Sequence, residues 1–272
     1  MEQGSWSRGH GAGALKNMDK HLALGCDRRL QRAKIAWAFT LGCWGCLTAG
    51  LTSSLTGSLT GGLPAMAQPT GADYRLQGLA RRQQGDLGGA IAALQQAVAL
   101  EPDNVDGQVL LGWTLHLAGE EDQAAAVLAK SLRSNPVHVP SLNALGIVYL
   151  VDGQLWRAVA THSQAVLVDP DNEIGFYNLS LALERLELFP WAIATAEAAW
   201  DREPQNPHAP VALALARWGQ GDQAGAVAAY GQALALDDRY GDGAFLAYLT
   251  EAGFSGEQID RSRDILNAVE RF

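Results

Sequence analysis

His162, Ser163 and Asp169 fall close together in the chain. A histidine, a hydroxyl and a carboxylate are the parts of a nucleophilic relay, in which the imidazole takes the hydroxyl's proton and the carboxylate steadies the imidazolium. Cys43 and Cys46 make a C-x-x-C pair, carboxylates cluster at 120–122 and 237–238, and His116 and His138 carry imidazoles of the kind that bind metal. Set in context, each reads differently. The two cysteines lie inside an apolar run, where they are small core residues of a leader rather than a redox centre. His116 and His138 are isolated, with no second ligand at metal spacing. The carboxylates fall at turns and are expected to be solvated. The chain has no G-x-x-x-x-G-K-[ST], no H-E-x-x-H and no G-x-S-x-G. The expectation is a protein with no catalytic residues, no metal and no cofactor.

What organises the chain is a period. Pro102, Pro136, Pro170 and Pro204 each stand 34 residues after the last, the mark of a repeat architecture. Set in rows 71–104, 105–138, 139–172, 173–206 and 207–240, the twentieth column is Ala90, Ala124, Ala158, Ala192 and Ala226. The eighth is Gly78, Gly112, Gly146, Ser180 and Ala214, and the twenty-seventh is Ala97, Ser131, Ala165, Ala199 and Ala233. Each row reads as two antiparallel helices, at positions 1–14 and 18–31. Gly85, Gly119, Gly153 or Gly221 lies at the turn between them, where a helix stop prefers a permissive backbone. The small columns let the paired backbones approach closely. The proline lacks the amide hydrogen that a continuing helix needs, so it ends the second helix. Pro140, Pro190 and Pro210 fall at helix starts, which tolerate proline. His162 occupies column 24, normally an apolar packing position, and is expected to be a partly buried, hydrogen-bonded histidine.

These columns resemble the tetratricopeptide repeat (TPR) family over residues 71–240. The family's aromatic preferences at columns 4 and 11 are met by Tyr74, Phe176 and Tyr149 but not by Gln108, Pro210 and Arg217. The resemblance implies an all-α, right-handed superhelical solenoid of about five helix-turn-helix repeats. Asp238 stands where the next proline is due, so the fifth row gives way to something else. Residues 241–272 read as a C-terminal helical cap that covers the open end of the stack. "AFLAYLTEAG" would be a helix ending near Gly253, and "SGEQ" at 255–258 would be a capping box for a last helix. Ile259, Leu266 and Val269 mark that helix's apolar face, with Arg261, Asp264 and Glu270 off it.

Composition separates the chain into 1–67 and 68–272. The first part carries 7 Lys and Arg against 3 Asp and Glu; the second carries 13 against 26 and has no cysteine. An acidic body disfavours nonspecific nucleic-acid binding. Residues 28–34, "RRLQRAK", are basic; 35–51 are uncharged and mostly apolar; and "LPAMA" ends in A-x-A at Ala65 and Ala67. This is the pattern of a secretory signal cleaved after Ala67, with translation beginning at Met1 or Met18. The alternative is an uncleaved anchor, in which 35–63 would touch the membrane. Cys43 and Cys46 follow Thr-Leu-Gly and Cys-Trp-Gly, neither a good lipobox. The domain reading is therefore 1–67 signal or anchor, 68–240 solenoid and 241–272 cap.

The resemblance implies a non-enzymatic scaffold that binds a protein or peptide segment in the concave groove, here in the cell envelope. The alternative is an accessory subunit docked on a membrane-bound envelope-biogenesis or polysaccharide-export complex. In the family, columns 2, 5, 9 and 12 face the groove. Column 9 holds no asparagine, and column 5 holds only Asn143 and a distant Arg75, so the family's carboxylate clamp is absent. The candidate groove is an apolar strip anchored by Trp113, Tyr177 and Trp218 and bordered by His116, Ile147 and Leu181. Asn143, Asn178 and Arg185 would hold a partner's backbone.

Overall fold

The computed structural model describes residues 68–269 and 271. The expected signal or anchor at 1–67 and the position of Glu270 lie outside the described residues. Five antiparallel helix pairs follow one another. They are α1 (Gly71–Gln83) with α2 (Leu87–Leu100), α3 (Val105–Leu117) with α4 (Glu121–Ser134), and α5 (Val139–Val151) with α6 (Leu155–Val168). Then come α7 (Glu173–Arg185) with α8 (Phe189–Arg202), and α9 (His208–Gln220) with α10 (Gln223–Leu236). Each pair occupies one 34-residue row, and each pair stacks on the next.

Local chemistry explains the boundaries. Thr70 and Asp73 form a reciprocal capping box at the start of α1. Asp86, Asn104 and Asp222 accept from the amides of Gly89, Gly107 and Gly225 at the starts of α2, α3 and α10. Gly85, Gly119, Gly153 and Gly221 all adopt left-handed φ values, from 75° to 89°, which ends the first helix of each pair without a Cβ penalty. The fourth row has Glu187 at this point, at φ 59°. It bears the strain that its sister rows avoid.

The packing columns behave as a ladder. All five alanines of column 20 are fully buried. Column 8 meets column 24 of the same pair. A Cβ on Gly78 would stand 2.6 Å from Leu94 Cγ, and one on Gly112 would stand 2.6 Å from Leu128 Cγ. In the third row the partner of Gly146 is His162, whose ring takes the hollow that leucine fills in the first two rows. The expectation for this histidine needs correction. It is completely buried, and neither ring nitrogen makes a hydrogen bond. Burial pulls its pKa down to about 3. It is a neutral packing residue, and the relay with Ser163 and Asp169 is not assembled.

Beyond α10 the chain makes two 3-10 segments, Asp238–Gly241 and Phe245–Ala252, and then α11 (Gly256–Val269). The first begins at the residue that breaks the proline series. The second replaces the α-helix expected to end near Gly253, though Gly253 does close it, at φ 87°. The capping box forms: Ser255 N–H donates to Gln258 Oε1 at 3.0 Å, and Gln258 N–H donates to Ser255 Oγ at 3.3 Å. Helix α11 packs on α9 and α10 with Ile259, Ile265 and Leu266 buried.

Candidate partner-binding groove

The first helices of the pairs supply the groove columns in steps of one repeat. From α3 come Val109, Trp113 and His116; from α5, Asn143, Ile147 and Leu150; from α7, Tyr177, Leu181 and Glu184. Around the first of these the groove is open. A cavity of about 590 Å³ is lined by Trp113 and His116 of α3, Ile147 and Val151 of α5, and Ile174, Tyr177 and Asn178 of α7. The Trp113 ring is itself buried and tilts against His116, with centroids 4.9 Å apart. His116 Nδ1 lies 2.8 Å from the Glu121 carboxylate. The 120–122 cluster is therefore not simply solvated, since its middle member orients a groove histidine.

The fourth wall of this cavity is the chain's own Thr250–Gly253. The segment after α10 does more than cover the end of the stack; it turns back along α7. Tyr177 donates its hydroxyl to the Ala252 carbonyl at 2.7 Å in a buried bond. Phe254 packs against Tyr177 and His208, with ring centroids 5.9 and 6.4 Å away. The Gln258 amide donates to the Leu181 carbonyl at 3.3 Å and to Glu184 Oε2 at 2.7 Å, and Arg261 pairs with the other Glu184 oxygen. Burial raises the Glu184 pKa, and Arg261 and Gln258 counter part of that rise. The same desolvation pushes the Tyr177 hydroxyl well above its ordinary range, so it remains a donor throughout the physiological range.

The predicted residues thus divide. Trp113, His116, Ile147, Tyr177 and Asn178 share the open cavity. Arg185 borders a separate polar hollow with Glu184 and Arg261, and Trp218 borders a third beside α11. Asn143 and Leu181 are buried and line none of the three. The polar groups proposed to hold a partner's backbone are engaged within the chain. Asn143 exchanges two amide hydrogen bonds with Asn172, at 3.0 and 2.9 Å. Asn178 donates to the Ile174 carbonyl at 3.0 Å, and Arg185 donates to the Leu150 carbonyl at 2.6 Å.

Sequence reasoning missed His208, Tyr240 and Phe254. Tyr240 shares a 2.6 Å hydrogen bond with His208 Nδ1, and Tyr230 donates to the Tyr240 carbonyl at 3.0 Å. Packed among rings, His208 is held down to about pKa 4 by desolvation. The available signal was the loss of register itself: Tyr248 and Asp260 stand where small residues belong. Among the described residues no three His, Cys, Asp or Glu side chains gather where a metal could sit. The arrangement offers shape, apolar surface and a few oriented polar groups, which is the chemistry of binding.

Comparison with known proteins agrees with this geometry. Residues 81–145 match the tetratricopeptide repeat family. Protein FlbA of Caulobacter vibrioides is 30% identical over 132 residues, which make up 45% of this chain and only 22% of that protein. MamA from Desulfovibrio magneticus RS-1 superposes with a TM-score of 0.57 at 21% identity, over 62% of this chain and 95% of that one. YrrB, a TPR protein with an unusual peptide-binding site, gives 0.51 at 15% identity, over 61% and 86%. At these identities the solved structures show the fold. Together with the 34-residue period and the five stacked pairs, the matches support a tetratricopeptide-type solenoid.

Proposed function

We propose that the protein is a non-enzymatic scaffold of the cell envelope that takes an apolar partner segment in the unfilled part of its groove. The observation that carries this reading is the 590 Å³ cavity between α3, α5 and α7. Its rim leaves Val151 and Leu117 exposed, at 47% and 37%, and apolar groups in that position favour an apolar ligand. The peptide-binding site named for YrrB accords with this use. The envelope assignment rests on the basic, apolar, A-x-A order of residues 28–67. The same groove would serve an accessory subunit docked on one membrane-bound envelope-biogenesis or polysaccharide-export complex.

A photoreactive residue at position 151 tests the reading by crosslinking in intact cells. In envelope extracts the crosslinking yield should be unchanged when salt is raised moderately before irradiation, because apolar contacts are not screened. Capture should be lost in Ile147→Glu, whose folding is checked by its melting curve. Capture that Ile147→Glu leaves unchanged would move the recognition surface elsewhere. A varied set of captured proteins supports an adaptor, and a single stoichiometric membrane complex supports the accessory reading. N-terminal sequencing addresses location: a mature chain beginning at Gln68 supports export, and an intact N-terminus in salt-washed membranes supports an anchor.

A further inference from the structure

The half of the groove over α7 and α9 is occupied by the chain itself, and the contacts are those a bound peptide would make. A main-chain carbonyl, Ala252 O, is read by the Tyr177 hydroxyl at 2.7 Å. An aromatic side chain, Phe254, is seated among Tyr177 and His208. Between them the backbone runs along the wall: a Cβ on Gly253 would be in ordinary contact, 3.4 Å from Asn178 and 3.6 Å from Leu150. Main-chain hydrogen bonding for affinity and a side-chain pocket for specificity are how grooves generally recognise peptides.

The occupant is also irregular backbone between two α-helices. It is tethered through Gly241 and Gly243; a Cβ on Gly243 would meet nothing within 4 Å. Phe245–Ala252 runs as a 3-10 helix for 8 residues, longer than that form usually sustains. Its sequence, "FLAYLTEA", is rich in residues that favour the α-helix. Its outer edge leaves Tyr248 56% exposed, and its inner edge, Thr250–Gly253, walls the open cavity. Anything that fills the cavity therefore touches this segment.

The geometry points to residues 245–254 as a resident ligand of the groove, displaced by a partner segment of the same chemistry: an apolar stretch ending in glycine and an aromatic residue. This rests on the binding role proposed above and names the kind of segment bound. The binding surface then extends from the open cavity across Tyr177 to His208, and the free chain keeps its aromatic pocket covered until a matching segment arrives.

A fluorescein-labelled peptide with the sequence of residues 245–254, FLAYLTEAGF, tests this on the full chain. Phe254→Ala and Gly253→Ala change the resident and leave every side chain of the helical groove face in place; at Gly253 the added Cβ is disfavoured by φ 87°. Both variants should bind the peptide at least tenfold more tightly than the native chain. Adding Tyr177→Phe to either should reverse much of that gain. In the native chain, saturating peptide should speed hydrogen exchange of the 245–252 amides while α9 stays protected. Equal affinity for the native chain and both variants, or no binding to any of them, overturns the proposal. So does a captured partner at position 151 with the 245–252 amides still protected, a result that leaves the scaffold role standing. Displacement by the peptide without any partner captured in cells supports the resident-ligand reading and counts against the scaffold role instead.

Discussion

The two halves of the concave face come from the same columns and end in opposite states. Over α3 and α5, Trp113, His116 and Ile147 border open space. Over α7, Tyr177 and Glu184 of the matching columns are covered by Ala252, Gln258 and Arg261 of the same chain. The difference teaches that register decides which residues face the groove, and that it says nothing of what will cover them. Because each repeat touches only its neighbours, a solenoid can carry both states in one molecule.

The largest expected effect tests the covered half. Leu249 is 1% exposed on the inner side of the 3-10 segment, and Leu249→Ala should cost about 2–5 kcal/mol. Hydrogen exchange should show the loss over α9 to α11 and leave α3 to α5 protected. Uniform loss along the array would erase the comparison. Next is the middle of the ladder. Ala158 is fully buried where α6 meets its pair, and Ala158→Leu should cost ~1–3 kcal/mol by overpacking. An unchanged melting temperature would break the column assignment on which both halves depend.

His162 offers a smaller change of the opposite sign. Leu94 and Leu128 fill the same hollow against glycine in the first two rows. His162→Leu therefore removes two unpartnered ring nitrogens without adding a misfit, and should stabilise by about 1–3 kcal/mol. It should also alter the acid limb of the stability profile. His162 and His208 have folded pKa values of about 3 and about 4, below the ~6.5 of an unfolded histidine. The unfolded chain thus binds more protons across that window. Stability is complete above pH ~6.5 and falls as pH drops from there towards the folded values. Denaturant midpoints measured from pH 7 to 4 should fall less steeply in His162→Leu, with the His208 contribution remaining. An equally steep fall would remove His162 from the account. The smallest effect belongs to Glu187. Gly at that left-handed turn, as in the other four rows, should stabilise by up to about 1 kcal/mol, read as a rise in the denaturant midpoint.

Much of the scaffold was legible in the residues alone. The proline period, the small columns and the turn glycines report local requirements: a missing amide hydrogen, a close helix contact, a positive φ. Each is met within a row, so the five pairs and their boundaries follow from the chain read in order. The Ser255–Gln258 capping box was legible for the same reason, since its partners are neighbours.

What the sequence could not decide is what lies on the concave face, because those contacts join residues far apart in the chain. Ala252 reaches Tyr177 across 75 positions, and Gln258 reaches Glu184 across 74. The sequence determined the repeats, their register, the acidic body and the residues offered to the groove. Only the tertiary structure decided that Asn143 would pair with Asn172, that Trp218 would face a different hollow from Trp113, and that Phe254 would sit in the aromatic pocket. The physical reason is the range of the interactions. Backbone preference and helix spacing act over a few residues, whereas burial of a groove depends on which remote segment can reach it and exclude its water.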